Sequence, residues 1–428
     1  MEWQIFPLKA LFIDRTSGAW GSEPDDTDSG IICIRAADFV THKLTHSLTD
    51  LTRRKFDEHE IFTKQLRKGD LILEKSGGGE KQPVGRVIRF GLEEIALCSN
   101  FLERLRPNTL LAESQYLAYL LYHLWLNRQI VPFIKQTTGI QNLDTSEYFT
   151  IGVSLPPLKK QHIIADYLNY ETTQLDALIE ATERLLDLLA EKRRALITHA
   201  VTRGLNPDVP LRDSGVEWLG LVPTHWETRK LKMVAEVRTG VAKGRNFGGA
   251  STIQVSYLRV ANVQDGYLDL SDVAEIEIQP HELDGFRLKK GDLLMNEGGD
   301  ADKLGRGAIW SGSIDPCVHQ NHVFAVRCHD VDPEWLAWTI KGDHAKVYFE
   351  SRSKQSTNLA SISSTNLQEV TIPTPPAGEQ RTIVEYIESE TAKLAALRAA
   401  TEHTRDLLHE RRAALIAEAV TGKIHVAG

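Results

Sequence analysis

The sequence has few of the features that mark secreted, membrane or nucleotide-dependent proteins. Its 428 residues contain four cysteines, and no CxxC pair occurs among Cys33, Cys98, Cys317 and Cys328. This pattern is typical of reduced, mostly buried thiols, so we expect a cytoplasmic protein. No run of about 18 apolar residues is present, and a transmembrane helix is therefore not predicted. The opening MEWQIFPLKALFIDR lacks the basic region and cleavage site of a signal peptide.

Catalytic motifs are also lacking. The chain has no GxxxxGK[ST] phosphate loop, no glycine-rich dinucleotide fingerprint and no acidic residue two positions before a lysine. The glycine cluster SGGGE (76–80) is better interpreted as a flexible loop than as a phosphate site. CVHQNH (317–322) with CH (328–329) has poor spacing for zinc, and the pair His42 and His46 is similarly discounted as a zinc site. We therefore predict no catalytic residue, no metal site and no cofactor bound by this chain.

The charge balance argues weakly against a nucleic-acid ligand, but its distribution is uneven. The formal net charge is −8, with 50 basic and 58 acidic residues. Residues 51–90 reverse this balance, with ten Lys and Arg against six Asp and Glu. Because local potential rather than total charge steers a ligand, nucleic-acid binding remains compatible with this composition.

The chain contains a long internal repeat. Residues 156–202 align without gaps with 375–421, and 24 of the 47 positions are identical. The similarity extends outside this segment: KGDLILEK (68–75) corresponds to KGDLLMNE (290–297), and Trp3 corresponds to Trp226. A repeat period above 200 residues is too long for a solenoid and indicates a duplicated domain with its connector.

The duplication predicts five segments. We expect a first globular domain over 1–155, a helical spacer over 156–205, a linker over 206–225, a second globular domain over 226–374 and a second helical spacer over 375–428. Short alternating or apolar runs predict strands in both globular domains, and segments 113–136 and 333–352 predict helices. Strands followed by helices without βαβ alternation indicate an α+β fold.

The two spacers have the apolar periodicity of a coiled coil. Residues 161–202 of the first spacer contain no glycine or proline, and the polar interruptions of the two spacers fall at equivalent places. Two such helices in one chain predict an antiparallel pair with internal pseudo-twofold symmetry. The predicted seam comprises Ile164, Leu168, Leu175, Leu178, Leu185, Leu189, Leu196, Ile383, Ile387, Leu394, Leu397, Leu408 and Leu415. The alternative is that each helix packs on its own globular domain.

At the level of these motifs the chain resembles the specificity subunit of type I restriction–modification systems. The resemblance rests on LPPLKKQHIIADYL and TPPAGEQRTIVEYI, on LLAEKRRALITHAVTRGL and LLHERRAALIAEAVTGKI, and on the linker LRDSGVEWLGLVPTHWETRKLK. It covers nearly the whole chain, and the helix signature appears twice with the linker between. The resemblance implies two target recognition domains, each reading half of a bipartite site in double-stranded DNA, with the helices as a spacer.

The resemblance also implies partners and places the chemistry in them. Two modification subunits carrying S-adenosylmethionine would methylate adenine, and endonuclease or translocase subunits using ATP and Mg²⁺ would join them. No membrane partner is implied. Since the two domains differ in their loops, the two half-sites should differ.

The residues that contact DNA are not given by the resemblance, because these domains diverge with their targets. Polar and basic loops supply candidates, although ordinary solvated turns explain the same composition equally well. From loop placement and residue type we predict DNA contacts by Arg35, Lys75, Lys81, Gln82, Arg86, Lys243, Arg245, Asn246, Arg259, Lys303, Arg306, Lys354, Gln355 and Asn358. Two other functions stay open: a coiled-coil adaptor between proteins, and a self-sufficient methyltransferase or nuclease with unrecognised motifs.

Overall fold

The chain folds into two compact units of similar construction. The computed structural model describes residues 3–24, 29–80, 82–136, 139–299, 304–356 and 359–426. The first unit comprises Met1–Arg184 with Glu402–Gly428, and the second comprises Leu185–Thr401. Each unit therefore contains one globular domain and a part of both long helices.

The described residues of the first unit form fourteen strands, with α-helices between and after them. Its α-helical segments are α1 (Glu58–Lys64), α2 (Ser114–Leu126), α3 (Thr145–Tyr148), the first part of α4 (Leu158–Arg203) and the last part of α9 (Ala377–Val420). Its strands are β1 (Gln4–Pro7), β2 (Phe12–Ser17), β3 (Ile31–Ile34), β4 (Phe39–Val40), β5 (Thr45–His46), β6 (Arg53–Arg54), β7 (Leu71–Glu74), β8 (Ser76–Gly77), β9 (Val87–Arg89), β10 (Ala96–Cys98), β11 (Leu102–Pro107), β12 (Ile134–Gln136), β13 (Gln141–Leu143) and β14 (Gly152–Leu155).

The second unit repeats most of this order of elements. Its α-helical segments are the last part of α4, α5 (Leu283–Phe286), α6 (Pro333–Thr339), α7 (Asp343–Arg352), α8 (Ser364–Glu369) and the first part of α9 (Ala377–Val420). Its strands are β15 (Leu211–Asp213), β16 (Leu221–Pro223), β17 (Glu227–Lys230), β18 (Ala235–Thr239), β19 (Ile253–Leu258), β20 (Ala274–Ile278), β21 (Leu293–Asn296), β22 (Gly298–Gly299), β23 (Gly307–Ile309), β24 (Cys317–His319), β25 (Val323–Cys328), β26 (Lys354–Ser356), β27 (Leu359–Ser361) and β28 (Thr371–Thr374).

The sheets of the two units have matching topology. The antiparallel sheet β2-β11-β7-β9 corresponds to β18-β25-β21-β23, and the hairpin sheet β12-β13-β8 corresponds to β26-β27-β22. A parallel pair occurs in each unit, β3 with β10 and β19 with β24. The α+β prediction is therefore confirmed. Segment 113–136 is helical over α2 and ends in a strand, while 333–352 divides into α6 and α7 at Gly342.

The repeated KGDL motif forms a turn closed by a buried carboxylate. Asp70 is 3 % exposed and accepts a hydrogen bond from the backbone N–H of Arg67 (2.8 Å). Its two oxygens accept from Nε and Nη2 of Arg106 on strand β11, at 3.0 and 2.8 Å. Gly69 precedes it at φ +92°, a conformation that favours glycine. The motif thus joins the start of β7 to the central strand β11.

The second unit contains the same fork. Asp292, 2 % exposed, accepts from the N–H of Lys289 (2.7 Å) and from Nε and Nη2 of Arg327 on β25 (2.8 and 2.7 Å). Gly291 again has a φ of +92°. The hydrogen bonds to this carboxylate raise the pKa of Arg327 above its ordinary value. The KGDL motif therefore has a structural role in both copies.

A buried glutamine explains the repeated Pro-Pro-x-x-x-Gln pattern at the start of each long helix. Gln161 donates to the carbonyls of Leu111 and Pro156, each at 2.9 Å, and accepts from the N–H of Glu113 (2.9 Å). Glu113 is the N-cap of α2. The side chain therefore attaches the globular domain to α4 in the first unit.

The equivalent glutamine does the same in the second unit. Gln380 accepts from the N–H of Asp332 (3.0 Å), the N-cap of α6, and donates to the carbonyl of Pro375 (2.8 Å). Both glutamines are buried. Since buried amides must be hydrogen-bonded, the pattern fixes where each helix leaves its domain.

Within each unit, α4 and α9 run antiparallel. In the first unit Arg412 near the end of α9 pairs with Asp176 in the first half of α4, with Nε 2.8 Å from Oδ1. Lys160, in the first turn of α4, reaches the carbonyl of Val426 beyond α9. In the second unit the last turns of α4 pack on the first turns of α9 in a core that includes Ile197, Val201, Ile383 and Ile387.

Burial along the helices corrects part of the predicted seam. Leu178, Leu185 and Leu397 are 54 %, 41 % and 49 % exposed, whereas Ile179, one residue after Leu178, is 5 % exposed. Leu196, Leu408 and Leu415 are half-buried. The remaining predicted positions are buried: Ile164, Leu168, Leu175, Leu189, Ile383, Ile387 and Leu394.

The buried positions of α4 follow a 4-3 spacing through Leu168, Thr172, Leu175, Ile179 and Leu189. The predicted positions Leu178 and Leu185 are therefore displaced by one residue from this spacing. The physical reason is that Leu178-Ile179 and Leu185-Leu186 offer two apolar residues in succession, so apolarity alone does not identify the inward one. Thr172 enters the seam because its hydroxyl donates to the carbonyl of Leu168 (2.6 Å), which satisfies it inside the helix.

Within the part of the chain that the structure describes, no helix combines the length and the apolar character needed to cross a bilayer.

The buried fork predicts a stability difference between two aspartates of the second unit. Asp292→Asn should lower the free energy of unfolding by about 3 kcal/mol, because Arg327 would remain partly buried without its carboxylate. Urea unfolding followed by tryptophan fluorescence measures the change. Asp330→Asn is the matched control, because the Asp330 side chain pairs with Arg229 but is 54 % exposed. Equal losses in both variants would contradict the role of burial.

Two buried histidines predict acid sensitivity of the second unit. Desolvation lowers the pKa of His319 and of His344 from 6.5 to about 4. The unfolded chain therefore binds protons more readily than the folded one. Stability should be complete above pH 6.5 and should fall as the pH drops from about 6.5 to about 4, by on the order of 3 kcal/mol for each group.

Urea unfolding at several pH values checks this slope. His344→Gln should flatten it, because the ring of His344 is buried and neither nitrogen has a hydrogen-bond partner within the described residues. His329→Gln replaces an exposed histidine of the same unit and should leave the slope unchanged. A slope that is the same in wild type and in His344→Gln would rule out this origin.

Candidate nucleic-acid interface

The candidate interface of the first unit begins where two parallel strands end. Ile34 of β3 lies beside Cys98 of β10, and the N–H of Ser99 donates to the carbonyl of Ile34 (2.9 Å). Arg35 and Ser99 therefore leave the sheet next to each other. Carboxyl ends of parallel strands are a common place for ligand-contacting loops, because neighbouring strands deliver side chains to one edge.

The second unit has the same arrangement with different side chains. Leu258 lies beside His319, and the N–H of Gln320 donates to the carbonyl of Leu258 (2.8 Å). Arg259 thus corresponds to Arg35, and Gln320 corresponds to Ser99. The Gln320 amide also accepts from the N–H of Val260 (3.3 Å).

Both strand-end arginines have a carboxylate partner. The N–H of Arg35 donates to Asp38 (2.7 Å), and its guanidinium donates to the same carboxylate (2.9 Å), which raises the pKa of Arg35. The guanidinium of Arg259 instead pairs with Asp272 (2.7 Å). The two arginine side chains remain 37 % and 29 % exposed. They can contact a ligand at the rim, with their positive charge partly offset.

A glycine after the second strand of each domain brings another segment against this edge. A Cβ at Gly18 would lie 2.1 Å from the carbonyl oxygen of Cys98, and a Cβ at Gly240 would lie 2.0 Å from that of His319. The residue after each glycine donates to that same carbonyl (both 2.8 Å). Trp20 and Ala242 therefore follow at equivalent positions.

Arg86, a predicted DNA contact, has an intramolecular role. Its Nε and Nη2 donate to the two oxygens of Glu74, both at 2.8 Å, and Nη2 also donates to the carbonyl of Ala36 (3.2 Å). Glu74 is 1 % exposed. Arg86 therefore neutralises a buried carboxylate and supports the turn after Arg35.

Arg306 is the counterpart of Arg86 but lacks this restraint. The carbonyl of Arg86 accepts from the N–H of Glu74 (2.8 Å), and that of Arg306 accepts from the N–H of Asn296 (3.1 Å). The buried carboxylate is thus replaced by an amide, which donates to Val263 (3.0 Å). Arg306 is half-buried, and its side chain forms no ion pair or hydrogen bond within the described residues.

The other predicted residues of the first unit surround the same edge. The Lys75 ammonium donates to the hydroxyl of Ser17. Gln82 is exposed, and its backbone carbonyl accepts a hydrogen bond from the N–H of Gly79 (2.9 Å). Lys81 lies outside the described residues.

In the second unit, three predicted residues lie on the loop after β18. The Lys243 ammonium lies 5.9 Å from the ring centre of Tyr257. Arg245 lies over the ring of Phe247 (5.2 Å) and donates to Glu282, and this hydrogen bond lowers the pKa of Glu282. Asn246 accepts from the N–H of Gly248 (3.0 Å).

The remaining predicted residues belong to the hairpin β26–β27 or to the segment before β23. Lys354 is exposed and pairs in register with Ser361. Gln355 belongs to β26, but its side chain lies outside the described residues, as do Lys303 and Asn358. All the named DNA contacts stay predictions, and the geometry favours Arg306 over Arg86.

The sequence analysis missed an apolar depression at the centre of the first interface. Trp20, Phe101 and Ile140 come from three separate segments and border a cavity of about 330 Å³. Arg35 and Glu74 also line it. The signal in the sequence is weak: Trp20 lies in SGAWG and Phe101 in SNF, so each is an isolated aromatic residue beside small or polar ones.

His319 and Cys317 belong to the histidine and cysteine cluster whose spacing made it a poor zinc candidate in the sequence. His319 is buried, and its Nδ1 lies 2.7 Å from the carbonyl of Val323. Burial raises the pKa of the Cys98 and Cys317 thiols to about 12, so both are protonated near neutral pH. Within the described ranges, no group of three metal-ligating side chains comes together.

Comparison with known proteins points to one family. The sequence profile of the type I restriction modification DNA specificity domain matches residues 2–190 and again 223–401. The specificity subunit of the type I restriction enzyme EcoKI from Escherichia coli K12 is 22 % identical over 372 residues, covering 85 % of this chain and 76 % of that protein.

Two solved structures share the fold. A chain from a structure of complex assembly and conformational transition of the type I R-M system superposes with a TM-score of 0.72 at 17 % identity, covering 99 % of this chain and 98 % of the other. The HsdS subunit from Thermoanaerobacter tengcongensis superposes with a TM-score of 0.52 at 15 % identity, covering 99 % and 97 %.

Proposed function

The chain belongs to the family of type I restriction–modification specificity subunits, and we propose that its two units read the two halves of a bipartite, asymmetric DNA site. Specificity subunits are the non-catalytic, DNA-recognising members of type I complexes, and catalysis belongs to other subunits. The observation that carries the proposal is the duplicated interface. The same strand ends, turns and glycines recur in both units, but the side chains they present differ.

The differences in side chains support different half-sites. The first unit presents Ser99 and Phe101 after β10, where the second presents Gln320 and His322. Amide side chains form paired hydrogen bonds with adenine in the major groove, whereas apolar groups contact the thymine methyl. Two domains with one scaffold and different readers would recognise an asymmetric site, with α4 and α9 as the spacer.

We further propose that modification subunits dock on apolar patches of the long helices. In the first unit Leu178 and Leu407 are 54 % and 49 % exposed and lie within about one turn of each other along the antiparallel pair. Their repeat counterparts in the second unit, Leu397 and Leu188, are 49 % and 60 % exposed. An exposed apolar patch that recurs in both copies is typical of a protein interface.

Two equivalent patches would accept two modification subunits. These subunits would supply S-adenosylmethionine and transfer the methyl group to adenine, after the base has been rotated out of the duplex. Endonuclease or translocase subunits would bring ATP and Mg²⁺. The specificity subunit would then hold its partners in register through phosphate contacts and select the site through base edges.

Replacing Arg306 tests its role in reading DNA. Arg306→Ala should weaken binding to the cognate site about 10- to 100-fold and relax selection at one half-site, as expected for loss of an arginine–base contact. Fluorescence anisotropy with labelled duplexes, in the presence of the modification subunit, measures this change. Unchanged affinity with unchanged half-site preference would contradict the assignment.

Arg86→Ala is the matched control for that experiment. Because Arg86 neutralises buried Glu74, this variant should reduce stability to urea rather than change the preferred base. Thermal and urea unfolding of both variants separate the two effects. A loss of folding in Arg306→Ala equal to that in Arg86→Ala would assign both residues to structure.

Charge in one apolar patch tests the docking proposal. Leu178→Glu combined with Leu407→Glu should weaken one of the two modification-subunit sites at least about 30-fold, since buried interface anchors contribute 2 kcal/mol or more. Native mass spectrometry should then show one bound modification subunit instead of two. Arg194→Glu changes charge at an exposed position of α4 and should leave two bound. Two subunits on the double variant would refute this surface.

A further inference from the structure

The apolar depression in the first unit is formed by large side chains that the fold leaves exposed. Trp20 is 39 %, Phe101 48 % and Ile140 51 % exposed. Ala36, Ala37 and Gly77 add small groups to its surface, which also includes the polar residues Arg35, Glu74, Ser76 and Ser99. Exposed apolar residues scattered singly need no explanation, but three that converge from distant segments mark a binding surface.

The scaffold does not require this apolar character. The N–H of Lys75 donates to the carbonyl of Phe101, as the N–H of Glu297 does to that of His322, both at 2.9 Å. Phe101 therefore corresponds to His322, and Trp20 corresponds to Ala242. The second unit keeps the same backbone but carries the imidazole of His322 and the methyl group of Ala242 in place of the phenyl and indole rings. The scaffold therefore does not account for the two apolar rings of the first unit, and we attribute them to ligand binding.

The ring of Trp20 and the backbone of Phe101 are held in place before any ligand arrives. The guanidinium of Arg54 lies 4.2 Å from the ring centre of Trp20, a favourable cation–π contact. The backbone of Phe101 accepts hydrogen bonds from the N–H groups of Lys75 (2.9 Å) and Ser76 (3.2 Å). A preformed surface loses little conformational entropy on binding, so even a small apolar contact contributes to affinity.

The surroundings of the depression suit a polyanion. Arg35 lies on its rim with its charge partly offset by Asp38, and the lining carboxylate of Glu74 is neutralised by Arg86. The neighbouring Lys75 has a hydroxyl rather than a carboxylate as its contact. Cations beside an apolar surface match a ligand with phosphates close to a nonpolar group. In the major groove of duplex DNA the group of this kind is the 5-methyl of thymine, because the other base edges there present hydrogen-bond donors and acceptors.

We propose that Trp20, Phe101 and Ile140 form a thymine-methyl subsite that determines specificity in the half-site read by the first unit. This inference rests on the proposed function and adds the base and the residues that select it. The subsite contacts the 5-methyl group in the major groove, while Arg35 and Lys75 contact the adjacent backbone.

Methyl deletion in the DNA tests the subsite directly. Each thymine of the cognate duplex is replaced in turn by deoxyuridine, and binding is measured with the modification subunit present. At one thymine, or two, affinity should fall about four-fold, the change expected for losing one buried methyl group. In Trp20→Ala and Phe101→His, the second being the counterpart residue of the other unit, the same replacement should cost nothing.

Leu110→Ala is the matched control, because Leu110 is an apolar residue of the same unit that is 86 % exposed and lies outside the depression. It should keep the four-fold penalty. The inference is overturned if every thymine tolerates deoxyuridine, or if the penalty persists in both aromatic variants. It is also overturned if those variants lose the modification subunit while their DNA preference stays intact.

The two levels of the proposal fail differently. Absence of sequence-selective binding in wild type would refute the proposed function and this subsite with it. Selective binding that ignores the thymine methyl would refute the subsite alone. Because the deoxyuridine scan uses the wild-type protein, it gives a result even if an aromatic variant does not fold.

Discussion

A buried aspartate–arginine fork is the interaction on which each recognition unit depends. Asp70 and Asp292 lie almost wholly out of solvent, where an unpaired carboxylate would be strongly unfavourable. Each closes the turn before a core strand and holds an arginine of the central strand next to it. Turn and sheet therefore cannot shift independently, and the loop after that strand starts from a fixed point. In the first unit this loop borders the depression through Ser76 and Gly77.

The duplication shows how such a scaffold changes its ligand. The forks and the close-approach glycines are the same in both units, whereas the residues that project from them differ. Glu74 of the first unit corresponds to Asn296 of the second. This exchange changes the side-chain partners of the neighbouring arginine, while the backbone hydrogen bond to that arginine is kept. With Glu74 present, Arg86 is committed to the fold, whereas Asn296 offers no carboxylate and Arg306 forms no ion pair within the described residues. One buried substitution thus removes the carboxylate that holds the arginine in the first unit.

The sequence predicts most of the architecture and little of the interface, for physical reasons. The repeat, the α+β class and the two long helices follow from periodicity and identity, which depend on local spacing. The seam follows in part, since Leu178-Ile179 and Leu185-Leu186 satisfy a 4-3 pattern in either of two ways. The depression could not be predicted, because Trp20, Phe101 and Ile140 are far apart in sequence and meet through the packing of three sheets.

Repeated residues can also have different surroundings, which a comparison of the two copies by sequence does not reveal. Arg193 and Arg412 occupy the same place in the repeat, yet Asp176, the partner of Arg412, corresponds to Ala395. Arg412 is buried against Asp176 and also donates to the carbonyl of His42, which ties α9 to the first recognition domain. A buried guanidinium with a carboxylate and a carbonyl tolerates little displacement. The first domain is therefore clamped to its helices through a contact that the repeat does not encode in the second.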